Sequence, residues 1–132
     1  ASLIALKDGS VRAFWFAGSR EGAADVVINT AVFDPKSHVW AAPTVVMDRV
    51  MAEKGLSRYI AKLGNPVPAR MADGRLQLFF VTVSIGGWAG SSISTIVSGR
   101  PDLEGFCGFG DCQSQLGNRR IDIAKWGGHA GA

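Results

Sequence analysis

One tryptophan lies in a loop whose composition could hold a ligand. Trp88 is accompanied by three glycines, Gly86, Gly87 and Gly90. An aromatic ring offers an apolar face to the face of a sugar, and its exposure without a ligand is unfavourable, so the loop could be a sugar-stacking platform. The alternative, which we favour from sequence alone, is that Trp88 packs over the edge of a sheet.

Other chemistries have weaker support. Cys107 and Cys112 are so close that a disulfide between them would stabilise little. A structural zinc site needs four ligands, and Asp111 and His129 are the nearby additions at a spacing that matches no standard finger. The pair Ser91-Ser92 lacks the G-x-S-x-G motif of a nucleophile elbow, which argues against a serine hydrolase. No Lys-Ser/Thr follows the glycines of this loop, which argues against a phosphate-binding loop. We therefore predict no metal and no cofactor.

Composition narrows the class of protein. The chain has 132 residues, 47% hydrophobic and 19% charged, which indicates a folded domain or a piece of one. The net charge of +3 is small, and the basic residues are scattered apart from Arg119-Arg120, so no nucleic-acid partner is expected. No apolar run approaches the roughly 20 residues of a membrane span.

A hairpin signal occurs twice. Asp8-Gly9 and Asp73-Gly74 are each preceded by a short apolar run and followed by an apolar strand with aromatic residues. Repeated hairpins are typical of β-propellers, but this interval exceeds the roughly 40 to 50 residues of a blade. An inserted segment between the copies would account for the excess.

The pattern along the chain predicts an all-β fold of antiparallel propeller blades with a short helical insertion. Strands are predicted at 3–6, 11–16, 26–33 and 38–40, then at 66–71, 76–83 and 92–97. Apolar residues recur at helical spacing between them, with Gly55 expected to break the helix into two short turns. This divides 1–97 into blade one (about 2–43), a helical insertion (about 44–63) and blade two (about 64–97), with a Gly-rich tail at 98–132.

Several residues on these strands have more than one interpretation. Arg12 and Arg70 could face a central channel, but we expect exposed positions on the sheets. Trp15 and Trp40 are expected in the core or between blades. Asn65 is expected to be a corner residue that tolerates unusual backbone geometry.

Three stretches, taken in order, carry a resemblance to a known family. They are FAGSREGAADVVI at 16–28, LGNPV at 63–67 and VSIGGWAGSSI at 83–93. Together they resemble the sialidase superfamily, closest to the bacterial BNR-repeat or sialidase-like proteins. The resemblance implies a six-bladed propeller, of which this chain would be about two blades. It also implies a secreted or periplasmic protein, although no signal peptide is visible in this sequence.

The resemblance assigns roles to two residues of the first stretch. Arg20 matches an arginine that helps to bind substrate, and Asp25 matches a general acid/base. A carboxylic acid can protonate a leaving glycosidic oxygen, and a guanidinium can bind a carboxylate through two hydrogen bonds. The alternative is that Arg20 and Glu21 are solvated loop charges and Asp25 caps a turn.

The resemblance also limits the expected activity. A sialidase needs a tyrosine nucleophile with a glutamate partner and two further arginines, which later blades supply and which are absent here. The parent would be an exo-sialidase-type glycoside hydrolase acting on a terminal acidic sugar, and this chain alone is expected to be inactive. The alternatives are a non-catalytic propeller that binds carbohydrate or protein, and a small independent β-sheet domain. Open sheet edges predict self-association.

The family's Asp-box, S-x-D-x-G-x-T-W, is incomplete. FDPKSHVW at 33–40 keeps Asp34 and Trp40 at the expected place, whereas SGRPDLEG at 98–105 departs from the motif. A frameshift near Val97 would explain the departure, and a natural divergent or disordered tail is the alternative. The nucleotide sequence would decide between them.

Overall fold

The computed structural model describes residues 1–98 and the two-residue strand at 121–122. Within them the chain forms two antiparallel sheets, one short helix and one 3₁₀ turn, which confirms the all-β class. The helix is α1 (Arg49–Leu56) and the 3₁₀ turn is Gly87–Gly90. The strands are β1 (Ser2–Ala5), β2 (Val11–Ala17), β3 (Val27–Asp34), β4 (Val39–Trp40), β5 (Thr44–Met47), β6 (Lys62–Arg70), β7 (Leu76–Val83), β8 (Ser91–Val97) and β9 (Ile121–Asp122).

The first sheet contains β1 to β5. Strands β1, β2 and β3 follow one another, and β4 and β5 both pair with β3. Trp40 lies opposite Phe33 near one end of β3, and Met47 lies opposite Ile28 near the other. The outer strand is therefore divided around Pro43, whose missing N–H cannot join a ladder. Residues 44–47, predicted to be helical, are instead a strand, because their β-branched side chains complete the edge of this sheet.

The repeated hairpin is confirmed in atomic detail. The amide of Gly9 donates to the carbonyl of Leu6, and that of Gly74 donates to the carbonyl of Met71. Gly9 has a φ of 87° and Gly74 a φ of 86°, the left-handed conformation that glycine adopts without strain. Each is a three-residue hairpin loop that ends in a left-handed glycine.

The second sheet has the order β6-β7-β8-β9. Its first strand begins at Lys62, earlier than predicted, and includes an irregularity between Gly64 and Val67. Asn65, inside that irregularity, has a φ of 45°, which agrees with its expected corner geometry. The predicted 98–132 tail, with its two cysteines, lies outside the described residues except for Ser98 and β9.

The two sheets pack face to face around one core. Phe14 and Ile28 from the first sheet and Leu78 and Phe80 from the second are almost completely buried. The rest of the core cluster consists of apolar residues from the strands, the helix and the segment after it: Leu6, Val26, Val46, Met47, Ala52, Ile60, Leu63, Leu76 and Ile96. The two predicted blades are thus consecutive layers of one hydrophobic core.

One strand residue was predicted wrongly. Arg12 is buried rather than exposed, because it lies on the same face of β2 as Phe14 and points between the sheets. Its guanidinium donates to the hydroxyl of Thr30 on β3, 3.3 Å away. Arg70, at the end of β6, is exposed as predicted.

The helix is shorter than the predicted insertion and is capped at both ends. The carboxylate of Asp48 accepts from the amide of Met51 at 2.7 Å, and Ser57 ends the helix in a left-handed conformation. Gly55 lies inside the helix and does not break it. Ala52 is the residue of α1 that is buried in the core.

The outer face of the first sheet remains apolar and open. Leu3, Trp15, Trp40 and Pro43 contribute to a groove of about 580 Å³ on this face. Trp40 is 49% exposed there. Neither Trp15 nor Trp40 belongs to the core cluster of the described residues, so a core position for them was predicted wrongly, and packing between blades stays a prediction.

Candidate functional site

The sheets have two different ends. The hydroxyl of Ser2 donates to the carbonyl of Pro66, and a guanidinium N–H of Arg70 donates to the carbonyl of Ala5, each at 2.5 Å. These bonds join the start of β1 to the middle of β6 and the end of β1 to the end of β6. The two strands therefore run in the same direction, and both sheets have their corresponding connections at the same end. One end, the turn end, holds the turns of Asp8, Asp34 and Asp73, and the other, the loop end, holds the connections 18–26, 48–61 and 84–90.

At the turn end, each aspartate holds its own turn. The carboxylate of Asp34 accepts from the amide of Lys36 and the hydroxyl of Ser37, both at 2.9 Å. The amide of Lys36, followed by the hydroxyl of Ser37, holds the pKa of Asp34 below its ordinary value. The rings of Phe33 and Trp40 close the segment that resembles an Asp-box, with centroids 5.2 Å apart.

The two hairpin aspartates behave in the same way. The hydroxyl and amide of Ser10 lower the pKa of Asp8, and the amide and side chain of Arg75 lower the pKa of Asp73. All three carboxylates therefore have a structural role at this end.

At the loop end, the connection 18–26 carries the two predicted site residues Arg20 and Asp25. Both are exposed. Both carboxylate oxygens of Asp25 accept from Ser19, one from its amide and one from its hydroxyl, each at 3.0 Å. Gly18 allows the two ends of this connection to approach each other closely, because a β-carbon on Gly18 would lie 2.8 Å from a methyl group of Val26. Asp25 thus shapes the loop from which Arg20 projects.

The connection 84–90 carries the third predicted residue, Trp88. Gly86 and Gly87 have φ values of 84° and 63°, which bend the chain into the 3₁₀ turn. A β-carbon on Gly90 would lie 2.1 Å from the carbonyl oxygen of Ile85, so only glycine fits there. The glycines hold the indole in one place, 45% exposed.

The structure places these two connections side by side. A β-carbon on Gly22 would lie 3.8 Å from Cζ2 of Trp88, and one on Gly64 would lie 3.5 Å from Cη2 of the same ring. The indole therefore packs across the seam between the sheets, while nearly half of it stays open to solvent. The loop of Arg20 and Asp25 lies next to it.

Two basic residues at this end were not singled out in the sequence. The Lys62 ammonium lies over the Trp88 ring, 5.6 Å from its centroid. The Arg58 guanidinium donates to the buried hydroxyl of Thr82 at 2.9 Å, and that hydroxyl lies 2.9 Å from the hydroxyl of Ser94. Lys62 directly precedes the stretch at 63–67, and this proximity is the sequence feature that could have indicated it. The position of Arg58 depends on packing between distant segments, so the sequence has no comparable feature for it.

The described residues show neither a metal-binding cluster nor a membrane-spanning helix. No group of three or more His, Cys, Asp or Glu side chains there could hold a metal ion. No helix in the same part of the chain is long and apolar enough to cross a membrane.

Two stacked antiparallel sheets with repeated Asp-Gly hairpins and a loop cluster at one end define an all-β protein of the propeller-blade type. A family model described as a BNR repeat-like domain matches residues 9–101, which is more than half of the chain and spans both sheets. The chain therefore belongs to the BNR repeat-like family, and its resemblance to the sialidase-like superfamily is confirmed. No curated protein matches the chain.

Proposed function

We propose that this chain supplies a glycan-binding surface to a sialidase-like propeller and does not hydrolyse glycosides by itself. One observation carries the proposal: the loop of Arg20 and Asp25 lies against Trp88 at the loop end, beside the seam between the sheets. Family membership supports the glycan as ligand class.

The side chains present are suited to a terminal acidic sugar. The exposed Trp88 surface can pack on the apolar face of a pyranose ring. The exposed Arg20 guanidinium can bind a carboxylate through two parallel hydrogen bonds. Arg20 and Trp88 would thus recognise the charge and the ring of the same sugar.

Asp25 has two proposed roles, which depend on the length of the protein. In a longer propeller that supplies the remaining catalytic groups, Asp25 would be the acid/base candidate. In this chain both of its oxygens already accept from Ser19, which favours a non-catalytic binding module as the second candidate function.

The test is binding and hydrolysis on the same preparation. Ligand-observed NMR with the methyl α-glycoside of N-acetylneuraminic acid measures binding, and a fluorogenic sialoside measures hydrolysis. We expect the chain to bind without turnover, and Arg20→Ala and Trp88→Ala to weaken binding. Asp25→Asn keeps the shape and one acceptor oxygen for the Ser19 amide, and its nitrogen can donate to the Ser19 hydroxyl oxygen, so this variant should bind like the wild type.

Two results would contradict the proposal in different ways. Hydrolysis of the fluorogenic sialoside that disappears in Asp25→Asn would show an active enzyme. Absence of sialoside binding by a folded wild-type chain would remove the glycan-binding function. Glu21→Ala, on the same loop as Arg20, controls for a general change of loop charge.

A further inference from the structure

Lys62 lies between the connections that the two sheets contribute to the loop end. It is the first residue of β6, and its ammonium lies 5.6 Å from the centroid of the Trp88 ring. A β-carbon on Gly22 would lie 3.7 Å from both Cδ and Nζ of Lys62. The ammonium is therefore held between the 18–26 connection of the first sheet and the indole of the second.

This position has a consequence for any sugar that stacks on the indole. A cation over an aromatic ring occupies part of the surface on which a sugar would pack. Where water reaches the site, as it does at the half-exposed Trp88, such a contact is weak, so the ammonium can leave the ring when a better partner is offered.

Neutral and acidic sugars differ in what they offer. A neutral sugar that displaces the Lys62 ammonium from Trp88 offers it only neutral hydroxyl or carbonyl acceptors. A carboxylate offers the ammonium a charge-assisted hydrogen bond, which is stronger than the exposed cation–π contact that it replaces.

We propose, on the basis of the glycan-binding function above, that Lys62 makes this site selective for sugars that carry a carboxylate. The ammonium moves from the ring of Trp88 to the carboxylate of the ligand, and the ring face becomes available to the sugar. Lys62 is thus a second residue, beside Arg20, that determines specificity for the carboxylate, and Trp88 is the stacking surface that it covers.

The test compares two probes that share one ring and differ in charge, using the full chain. They are the methyl α-glycoside of N-acetylneuraminic acid and the methyl ester of that compound. We expect the wild type to prefer the acid, with Lys62 contributing about tenfold of that preference, the size of one charge-assisted hydrogen bond over a cation–π contact. Lys62→Met, which keeps the apolar stem, should reduce the preference by about tenfold, to the part that Arg20 supplies, and bind the ester as well as the wild type does, or better.

Controls separate this role from a general one. Lys36→Met removes the same charge at the turn end and should keep the wild-type preference. A purely structural role for Lys62 predicts instead that Lys62→Met weakens acid and ester equally, which would overturn the proposal.

The outcomes also distinguish the two proposals. Equal binding of acid and ester by the wild type, or an undiminished preference in Lys62→Met, would refute selectivity by Lys62 and leave glycan binding intact. Binding of neither probe by the folded wild type would refute the glycan-binding function itself, and the selectivity with it.

Discussion

Trp88 and Trp40 form a matched pair for testing the role of the loop end. Trp88 is 45% exposed and Trp40 is 49% exposed, so each buries about half of its surface. Half of an aromatic side chain corresponds to about 100 Å², which at about 25 cal/mol per Å² stabilises the fold by about 2.5 kcal/mol. Because the unfolded chain also buries part of this area, we expect each alanine variant to lose about 2 kcal/mol.

The two variants should differ in binding, although they match in stability. Urea unfolding followed by circular dichroism gives the free energy of unfolding, and ligand-observed NMR with the sialoside gives binding. Trp88→Ala should lose stability and binding, whereas Trp40→Ala, on the outer face of the first sheet, should lose stability alone. The reasoning is refuted if Trp88→Ala unfolds like the wild type, because the indole would then not pack across the seam. It is equally refuted if both variants bind sialoside equally well.

Three further predictions concern the rest of the fold. Asp48→Ala should cost about 1 kcal/mol in urea unfolding, because the amide of Met51 loses its cap; an unchanged midpoint would contradict the capping role. The folded pKa of Asp34 is depressed, so its stabilisation is complete above its ordinary pKa of 3.8 and is lost as the pH falls through the lower folded value. Asp34→Ala should therefore show a smaller drop in melting temperature than the wild type between about pH 5 and pH 2, and parallel curves would disprove this. Leu3→Glu, in the apolar groove of the first sheet, should reduce self-association measured by light scattering; a wild type that stays monomeric at every concentration would show that no association occurs.

The features that the sequence predicted are those with local causes. The Asp-Gly turns were predictable because the left-handed glycine and the aspartate that binds its own backbone act within a few residues. The strand predicted at 76–83 is also a local pattern, since apolar residues alternate along it, and Leu76, Leu78 and Phe80 form its buried face.

The features that the sequence did not predict depend on distant segments. Arg12 is buried because the register of β2 and β3 places it beside Thr30 between the sheets. Residues 44–47 form a strand because the edge of β3 is available to them. Lys62 lies near Trp88 because β6 pairs with β7, and Gly22 lies near both because the sheets dock, so no local pattern could indicate this arrangement.

The candidate site was predicted in part. Arg20, Asp25 and Trp88 were chosen from separate stretches, and the structure places their loops at one end of the molecule. Their roles toward a substrate stay predictions. In the structure Asp25 accepts from Ser19, and Trp88 packs across the seam between the sheets. Arg20, Asp25 and Trp88 all remain exposed and can still meet a ligand.

The central claim is that a glycan binds at the loop end, and the most direct measurement is a two-dimensional amide NMR titration of the ¹⁵N-labelled chain with the methyl sialoside. The claim predicts saturable shift changes at Gly22, Gly64 and the indole N–H of Trp88, with no change at the turns of Asp8 and Asp73. Changes confined to the turn end or to the outer groove, or no changes at saturating sialoside, would contradict it.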